Sequence, residues 1–314
     1  MSVDLFLDAT LALLLAVVAW RVAVTQHLPT AVILFIAFGL LLAVAWARLG
    51  APDVALVEAA VGAGLTGALL MAALGWIGPE EPPGPRLTLR SRAALGVLLA
   101  LVFVGLIAAV LSLPGAAEGL RVDVRVALPA SGVSHPTTAV LLNFRGYDTL
   151  LEIAVLLVAV LGVHVSRAEL RGPTAAADDD DDDDGTLLAV LVRLLVPAVV
   201  VVGGLLLWRG SHAPGGAFQA GAVVAAGGIL WVVSRRASPP LSSWAVRAAL
   251  VLGLSVFLLV AIVPLGLGQA LLQYPTDHAG ALVLAIEAAL TVSVAVMLTL
   301  FFPPPRAANR QVQR

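Results

Sequence analysis

The sequence has no cysteine and no lysine, and each absence excludes a kind of chemistry. Without cysteine the chain has no disulfide, no thiolate metal ligand and no cysteine-ligated iron–sulfur cluster. All 18 basic residues are arginine, so any proton relay or Schiff base that needs lysine would have to lie on another chain. The formal net charge of −2 provides no basic surface, which argues against a nucleic-acid partner.

Charged residues are scarce as well. They make up 12% of the 314 residues, while hydrophobic residues make up 60%, and the mean hydropathy is +1.02. These values lie far from those of a soluble domain, so we predict an all-α polytopic integral membrane protein. The first apolar run follows Asp4 without the basic segment of a secretory signal, and we expect it to be retained as a helix.

Apolar runs long enough to cross a bilayer, about 20 residues each, number nine in this sequence. They lie at about 4–24, 29–47, 53–77, 92–112, 147–166, 187–208, 216–234, 244–265 and 279–302. Two segments rich in proline or charge, 78–91 and 167–186, divide the runs into groups. We predict modules at 1–78, at 79–166 with an external loop at 113–146, and at 187–314, with 167–186 as a cytoplasmic linker.

The distribution of arginine predicts the orientation, because the cytoplasmic face of a membrane protein collects basic residues. Twelve arginines fall on one face of the nine-span arrangement and five on the other, with Arg193 inside a span. The richer face is predicted to be cytoplasmic, which places the N-terminus outside and the C-terminus inside. The third, fifth and ninth helices would then all start at the outer surface.

Two loop segments carry patterns of their own. Asp178 to Asp184 form an unbroken acidic run, which could gather cations at a pore mouth but is more typical of a solvated linker. Arg121 to Val126 alternate strictly between charged and apolar side chains, and this period of two predicts a short strand with one wet face.

Three glutamates, Glu58, Glu152 and Glu287, lie inside the apolar runs. An ionised side chain at the bilayer centre costs about 3 kcal/mol or more, so such groups face a bundle interior or a wet cavity and commonly serve ion traffic. Each lies roughly 8–12 Å from the start of its helix, so the three could share one layer. The competing interpretation is structural, with each carboxyl group joining two helices by a hydrogen bond.

Arg145, Asp148 and Glu152 open the fifth run, with Asp148 three residues and Glu152 seven residues after Arg145. If the helix begins at about Arg145, these side chains stack on one face. The arginine would favour an ionised Glu152 and burial would favour a neutral one, so Glu152 could titrate at physiological pH. Alternatively, Asp148 only caps the helix and Arg145 only anchors at the membrane interface.

Residues 210–221 combine a proline with paired glycines, Pro214, Gly215 and Gly216, beside the start of the seventh run. Irregular backbone at membrane depth has to be buried or line a cavity, and a helix N-terminus there could hold an anion or a carboxylate. A plain external turn is the equal alternative. His212 is a possible proton acceptor, although a lone histidine in a turn is more often only solvated.

Motifs of autonomous enzymes are missing. Residues 62–67 match GxGxxG, but no predicted strand precedes them, and their small side chains suit close helix packing. The sequence has no P-loop, HExxH or GxSxG motif and no cluster of histidines and acids that would suggest a metal site. We therefore expect no enzyme activity of its own, no cofactor and no bound metal.

Three segments together resemble subunits of Mrp-type multisubunit sodium/proton antiporters. GAPDVALVEAAVGAG at 50–64, with Pro52 and Asp53, is similar to the three-helix module near the end of the large A-type subunit, which is a separate subunit in membrane-bound hydrogenases. NFRGYDTLLE at 143–152 resembles the two-helix module that follows it. PGGAFQAG at 214–221 resembles the glycine-rich turn of the four-helix B-type subunit. Three, two and four helices add up to the nine predicted from hydropathy.

The resemblance implies an accessory subunit that moves sodium ions and protons only together with larger antiporter-like subunits and small Mrp-type subunits. The larger subunits would supply the relay lysines, and the location would be a bacterial or archaeal plasma membrane. It also implies cation-transport roles for Pro52, Arg145 and Glu152. Because the same modules occur in redox-driven complexes, an ion-translocating subunit of a hydrogenase-like complex is the alternative, and a non-conducting scaffold is a third interpretation.

Overall fold

The computed structural model describes residues 3–77, 88–113, 119–170, 185–235, 237–266 and 268–304. The acidic run Asp178–Asp184 lies outside the described residues, as do residues 78–87 of the first predicted join between modules. The two interpretations of the acidic run therefore both stay open.

All regular secondary structure in the described residues is helical. In chain order the helices are α1 Val3–Val24, α2 Leu28–Arg48, α3 Pro52–Val57, α4 Thr66–Ile77, α5 Leu89–Leu111, α6 Arg121–Ala127, α7 Pro136–Ala139, α8 Gly146–Leu170, α9 Gly185–Arg209, α10 Ala217–Arg235, α11 Trp244–Gly266 and α12 Ala279–Phe301. A π-helical segment, Glu58–Leu65, joins α3 to α4 without a break, and a second one, Val140–Phe144, follows α7. Within the described ranges nine spans are long and apolar enough to cross a membrane. The predictions of an all-α class and of nine spans are confirmed.

The strand predicted at Arg121 to Val126 is wrong, because these residues form α6. A single strand beside a membrane would leave its backbone groups without partners, whereas a helix satisfies them within itself. The amide of Val124 accordingly donates to the carbonyl of Leu120 at 2.9 Å. Asp123 in the first turn and Arg125 in the last also suit the helix dipole.

The most buried helix is α12, which packs against α10 and α11 and also contacts α8. Small residues let these helices approach closely, as is typical of helix packing in membranes. A Cβ atom added at Gly221 of α10 would lie 2.8 Å from Val294 Cγ1, and one added at Gly253 of α11 would lie 2.9 Å from Ser293 Cβ. The Ser293 hydroxyl donates to the carbonyl of Leu250 at 2.6 Å and ties α12 to α11.

The N-terminal helices form a smaller group that meets the C-terminal bundle through the π-helical segment. Arg48 at the end of α2 forms ion pairs with Asp4 and Asp8 near the start of α1, so the two helices run antiparallel. α2 packs on the segment Glu58–Leu65, and this segment and α3 also contact α10. By contrast, α5 is exposed along its whole length.

The starting ends of α3, α10 and α12 lie at one side of the molecule, as alternating spans require. The amide of Gly215, just before α10, donates to the Asp53 carboxylate of α3 at 3.1 Å. Gly132 packs directly on the backbone of Gly280 at the start of α12, where no side chain on Gly132 could fit. Every acidic residue predicted to serve an ion path lies near this end of its helix.

Candidate functional site

Glu58 opens the π-helical segment and is half-buried. The Glu58 carboxylate lies against Gly62, one turn further along the chain. A side chain at Gly62 would collide with this carboxylate. π-helical segments inside α-helices are rare and occur frequently at functional sites. The glycine pattern that suggested thin helix packing thus also makes room for a carboxylate.

Arg145 lies between the second π-helical segment and α8, with a non-helical backbone (φ −128°, ψ 32°). Its guanidinium Nη2 lies 2.5 Å from Asp148 Oδ2, and the two side chains are 68% and 51% exposed. The predicted pairing of these two residues is therefore present. Arg145 precedes the helix, whereas Asp148 and Glu152 lie four residues apart within α8 and share one face of it.

Glu152 lies on the exposed face of α8, and among the described residues it has no ion pair and no hydrogen-bond partner for its carboxylate. Its neighbours Leu151 and Val155 are exposed as well. A carboxylate on the outer surface of a single membrane-spanning chain would face lipid, which is costly, unless another subunit covers it.

Glu287 has the opposite environment, since its side chain is only 1% exposed. One carboxylate oxygen, Oε1, is directed at Gly210 and Gly216, whose missing side chains leave space for it. The backbone N–H of Ala217, the first residue of α10, donates a hydrogen bond to this carboxylate. The other oxygen, Oε2, has no hydrogen-bond partner in the described part of the chain.

The glycine turn before α10 makes this environment possible. Gly215 and Gly216 have φ angles of 154° and 111°, which residues with a side chain rarely adopt. The amide of Gly216 donates to the carbonyl of Leu206 at 2.9 Å. Gly215, Gly216 and Ala217 are all buried, so the segment is irregular backbone in the interior rather than the plain external turn considered above. His212 is exposed and makes an edge contact with the ring of Trp208.

Two residues that sequence reasoning passed over, His135 and Gln219, also meet this turn. His135 Nε2 lies 2.8 Å from Asp53 Oδ2, and the side chain of Gln219 reaches the carbonyl of Asp53 at 3.5 Å. Asp53 itself had been singled out only as part of a family motif. His135 lies in a loop whose sequence has no hydrophobic periodicity. The one sequence signal for a structural role of His135 is its position directly before Pro136, at the start of a helix.

The three glutamates lie at similar depths from the same end of the molecule. Glu58 and Glu152 each come six residues after the first residue of their spans, Pro52 and Gly146, and Glu287 comes eight residues after Ala279. At 1.5 Å per residue these separations are about 9–12 Å. A cavity of about 490 Å³ at the far ends of α8 and α12, lined by His164, Arg167 and Leu300 among others, contains none of the three.

No group of three or more histidine or acidic residues that could hold a metal ion occurs in the described ranges. The acidic sites are therefore single carboxylates or carboxylates with one charged partner. Such sites can bind and release protons or monovalent cations one at a time.

Comparisons with known proteins find two family matches and one similar fold. Residues 13–79 match the MbhD family, described as one of the subunits of MBH, and residues 187–302 match the domain related to the MnhB subunit of Na+/H+ antiporter (MnhB). A chain in the structure of the Mrp complex from Dietzia sp. DQ12-45-1b has a TM-score of 0.73 and 23% sequence identity, and the match covers 95% of the present chain. It covers 35% of that chain, so the present chain spans about a third of its length. No protein of curated function matches.

These matches confirm the resemblance on which the sequence analysis depended. The first lies over α1 to α4 and the second over α9 to α12, so the N-terminal helices are similar to the MbhD family and the C-terminal helices to the MnhB-related domain. The segment between them holds Arg145, Asp148 and Glu152, and it shares the fold of the Mrp chain through the structural similarity alone.

Proposed function

We propose that this chain, which joins an MbhD segment to an MnhB-related domain, is an accessory membrane subunit of a multisubunit sodium/proton antiporter. It contributes carboxylates to an ion path and does not transport alone. The observation that carries the proposal is the placement of Glu58, Glu152 and Glu287 at similar depths from one end of the molecule. Acids kept inside apolar spans despite their cost are typical of ion pathways.

Each carboxylate works by alternating between a bound proton and a bound sodium ion. A neutral carboxylic acid is tolerated in a low-dielectric interior, and the anion left after proton loss is stabilised by a cation that takes its place. Asp148 lies about one turn before Glu152 and Arg145 about two turns before it, at the membrane surface, where their charges attract and orient incoming ions. The aqueous end of the path is the one at which the helices of the three acids start.

Partner subunits complete the path. They dock on the exposed face around Glu152, because an unpaired carboxylate facing lipid is unfavourable. The partners are larger antiporter-like subunits, which supply the relay lysines that this sequence lacks, and small Mrp-type subunits. The assembly lies in a bacterial or archaeal plasma membrane with the N-terminus of this chain outside and its C-terminus in the cytoplasm, the orientation that the arginine bias favours.

The test is the Glu152→Ala variant in the complete complex, assayed in vesicles for sodium exchange driven by a pH gradient. We expect exchange to be abolished while the complex assembles normally. Asp123→Ala is the matched control, since it removes an exposed acid from α6, outside the spans, and should leave exchange unchanged. Normal exchange in an assembled Glu152→Ala complex would contradict the proposed ion path.

The match of residues 13–79 to the MbhD family of MBH favours a second candidate function. In this alternative the chain is an ion-translocating subunit of a redox-driven, hydrogenase-like complex. Purifying the native assembly distinguishes the two. Co-purification of nickel–iron or iron–sulfur subunits would support the redox complex, and co-purification of antiporter-like chains alone would support the exchanger.

A further inference from the structure

A half-buried contact between a histidine and a carboxylate joins parts of the chain that are distant in sequence. Asp53 at the start of α3 and His135 before α7 lie 82 residues apart, and their side chains are only 13% and 14% exposed. The separation between His135 Nε2 and Asp53 Oδ2 is 2.8 Å. Neither residue belongs to the set of acids and arginine proposed above to form the ion path.

The hydrogen bonds around Asp53 fix which partner can take up a proton. Gly215 N–H donates to Asp53 Oδ1 at 3.1 Å, while the His135 ring meets Oδ2. Each carboxylate oxygen of Asp53 therefore faces a hydrogen-bonding nitrogen. The neutral histidine then carries its hydrogen on Nε2 as the donor, and its other nitrogen, Nδ1, has no partner among the described residues and is free to accept a proton.

The loop that carries His135 is attached to the glycine turn rather than to the bundle surface. The amides of Ser134 and His135 both donate to the carbonyl of Ser211, at 2.9 and 3.0 Å. The Thr138 hydroxyl donates to the carbonyl of Gly210 at 2.5 Å. The pair therefore contacts the turn at Gly215, and Glu287 lies beside Gly210 and Gly216.

Asp53 contacts Gly215 and Glu287 contacts the neighbouring Gly216, so a charge at the pair can act on Glu287 through space. With His135 neutral the pair carries one negative charge, and with His135 protonated it carries none. Like charges disfavour each other. Protonation of His135 removes the negative charge of the pair and thereby makes proton release from Glu287 easier. The titratable groups near these ends of the elements that meet here include Asp53, Glu58, Arg209, His212, Asp277, His278 and Glu287. Of these, Asp53 alone contacts the His135 ring in the described structure.

We infer that the His135–Asp53 pair is a proton-binding site, and that its occupancy controls proton release from Glu287 through the turn Pro214–Ala217. The inference rests on the proposed function for the role of Glu287, but proton binding at the pair does not depend on it. The proton comes from water and goes to Nδ1, and no other reactant is needed. The site thereby couples the MbhD segment, which carries Asp53, to the MnhB-related domain, which carries Glu287.

The first test is a histidine titration by nuclear magnetic resonance on the purified full chain with labelled histidine, which needs no transport. One of the five histidines should titrate between about pH 5 and 8, and its signal should disappear in His135→Gln. In Asp53→Asn the same signal should titrate at lower pH, because the imidazolium has lost its counter-charge. If the signal that His135→Gln removes does not titrate in this range, the inference is overturned whatever the transport activity is.

The second test is the pH profile of exchange by the assembled complex. We expect His135→Gln to abolish the step in the profile that belongs to the histidine, and Asp53→Asn to move that step to lower pH. His212→Gln is the matched control, because His212 is exposed and lies one residue beyond the contact at Ser211. A merely structural ion pair would instead reduce the yield of the complex and leave the pH profile of the assembled fraction unchanged, which would overturn the coupling to Glu287. If wild-type complexes do not exchange ions, the proposed function fails and the titration still decides the proton site.

Discussion

Glu287 and Glu152 occupy opposite kinds of environment in the same chain. Glu287 is enclosed by α12, the start of α10 and the glycine turn, and it has a backbone hydrogen-bond donor of its own. Glu152 is exposed on α8, without a partner in the described structure. The chain alone therefore encloses Glu287, whereas no described part of the chain encloses Glu152.

Two whole helices, α12 and α5, differ in a similar way. α12 is buried on most of its surface and α5 on none. In a membrane, apolar exposure by itself carries no penalty, so α5 is stable against lipid, and only polar groups reveal which faces need a protein partner. Glu152 is such a group, and for this reason we propose that a partner subunit covers this surface of α8.

The largest predicted effect concerns the enclosed site and is structural. Gly216→Ala places a methyl group 2.9 Å from Glu287 Oε1 on a backbone with φ of 111°. We expect a loss of roughly 3 kcal/mol in stability from backbone strain and crowding together. Thermal unfolding of the purified chain measures it.

Gly105→Ala in α5 is the matched control. An added Cβ atom there meets nothing within 4 Å, so the change should be neutral or stabilise the helix by up to about 1 kcal/mol. Equal destabilisation by both variants would contradict the contrast between a packed region and a lipid-facing one.

A smaller effect is expected when Glu287 loses only its ability to ionise. Glu287→Gln keeps the shape and an oxygen that can accept from Ala217 N–H, so the complex should assemble at the wild-type level. Exchange should fall about tenfold or more, which corresponds to about 1.4 kcal/mol. Vesicle exchange normalised to the amount of complex measures this, and a parallel loss of yield and exchange would support the scaffold interpretation for this residue.

How far the sequence predicts this molecule depends on whether a feature is local. Nine spans follow from apolar length alone, and the contact between Arg145 and Asp148 follows from residues three positions apart. The strand at Arg121 to Val126 was mispredicted because alternation of side chains does not provide the neighbouring strand that a strand requires. The π-helical segment at Glu58 left no sequence signal beyond the small residues that follow it.

The non-local features of the site could not be derived in advance. The contact of His135 with Asp53 and that of Glu287 with Ala217 join residues 82 and 70 positions apart. Each depends on how helix ends come together, and hydropathy does not encode this. The resemblance points to the glycine turn, but only the structure shows that Glu287 and the His135–Asp53 pair both meet this turn.

The smallest predicted effect comes from Tyr274, which lies in the loop before α12 and belongs to the same buried cluster as the residues around Glu287. Burial raises the pKa of the Tyr274 hydroxyl to about 12, so the phenol stays neutral at physiological pH. Its hydroxyl oxygen has no hydrogen-bond partner in the described structure. Removing a buried hydroxyl that has no partner costs little, so Tyr274→Phe should change stability by less than about 0.5 kcal/mol. Thermal unfolding beside Gly216→Ala, and exchange beside Glu287→Gln, measure this. A loss above about 1 kcal/mol, or a changed pH profile, would show that the sensitivity of this bundle is not confined to Glu287 and its glycines.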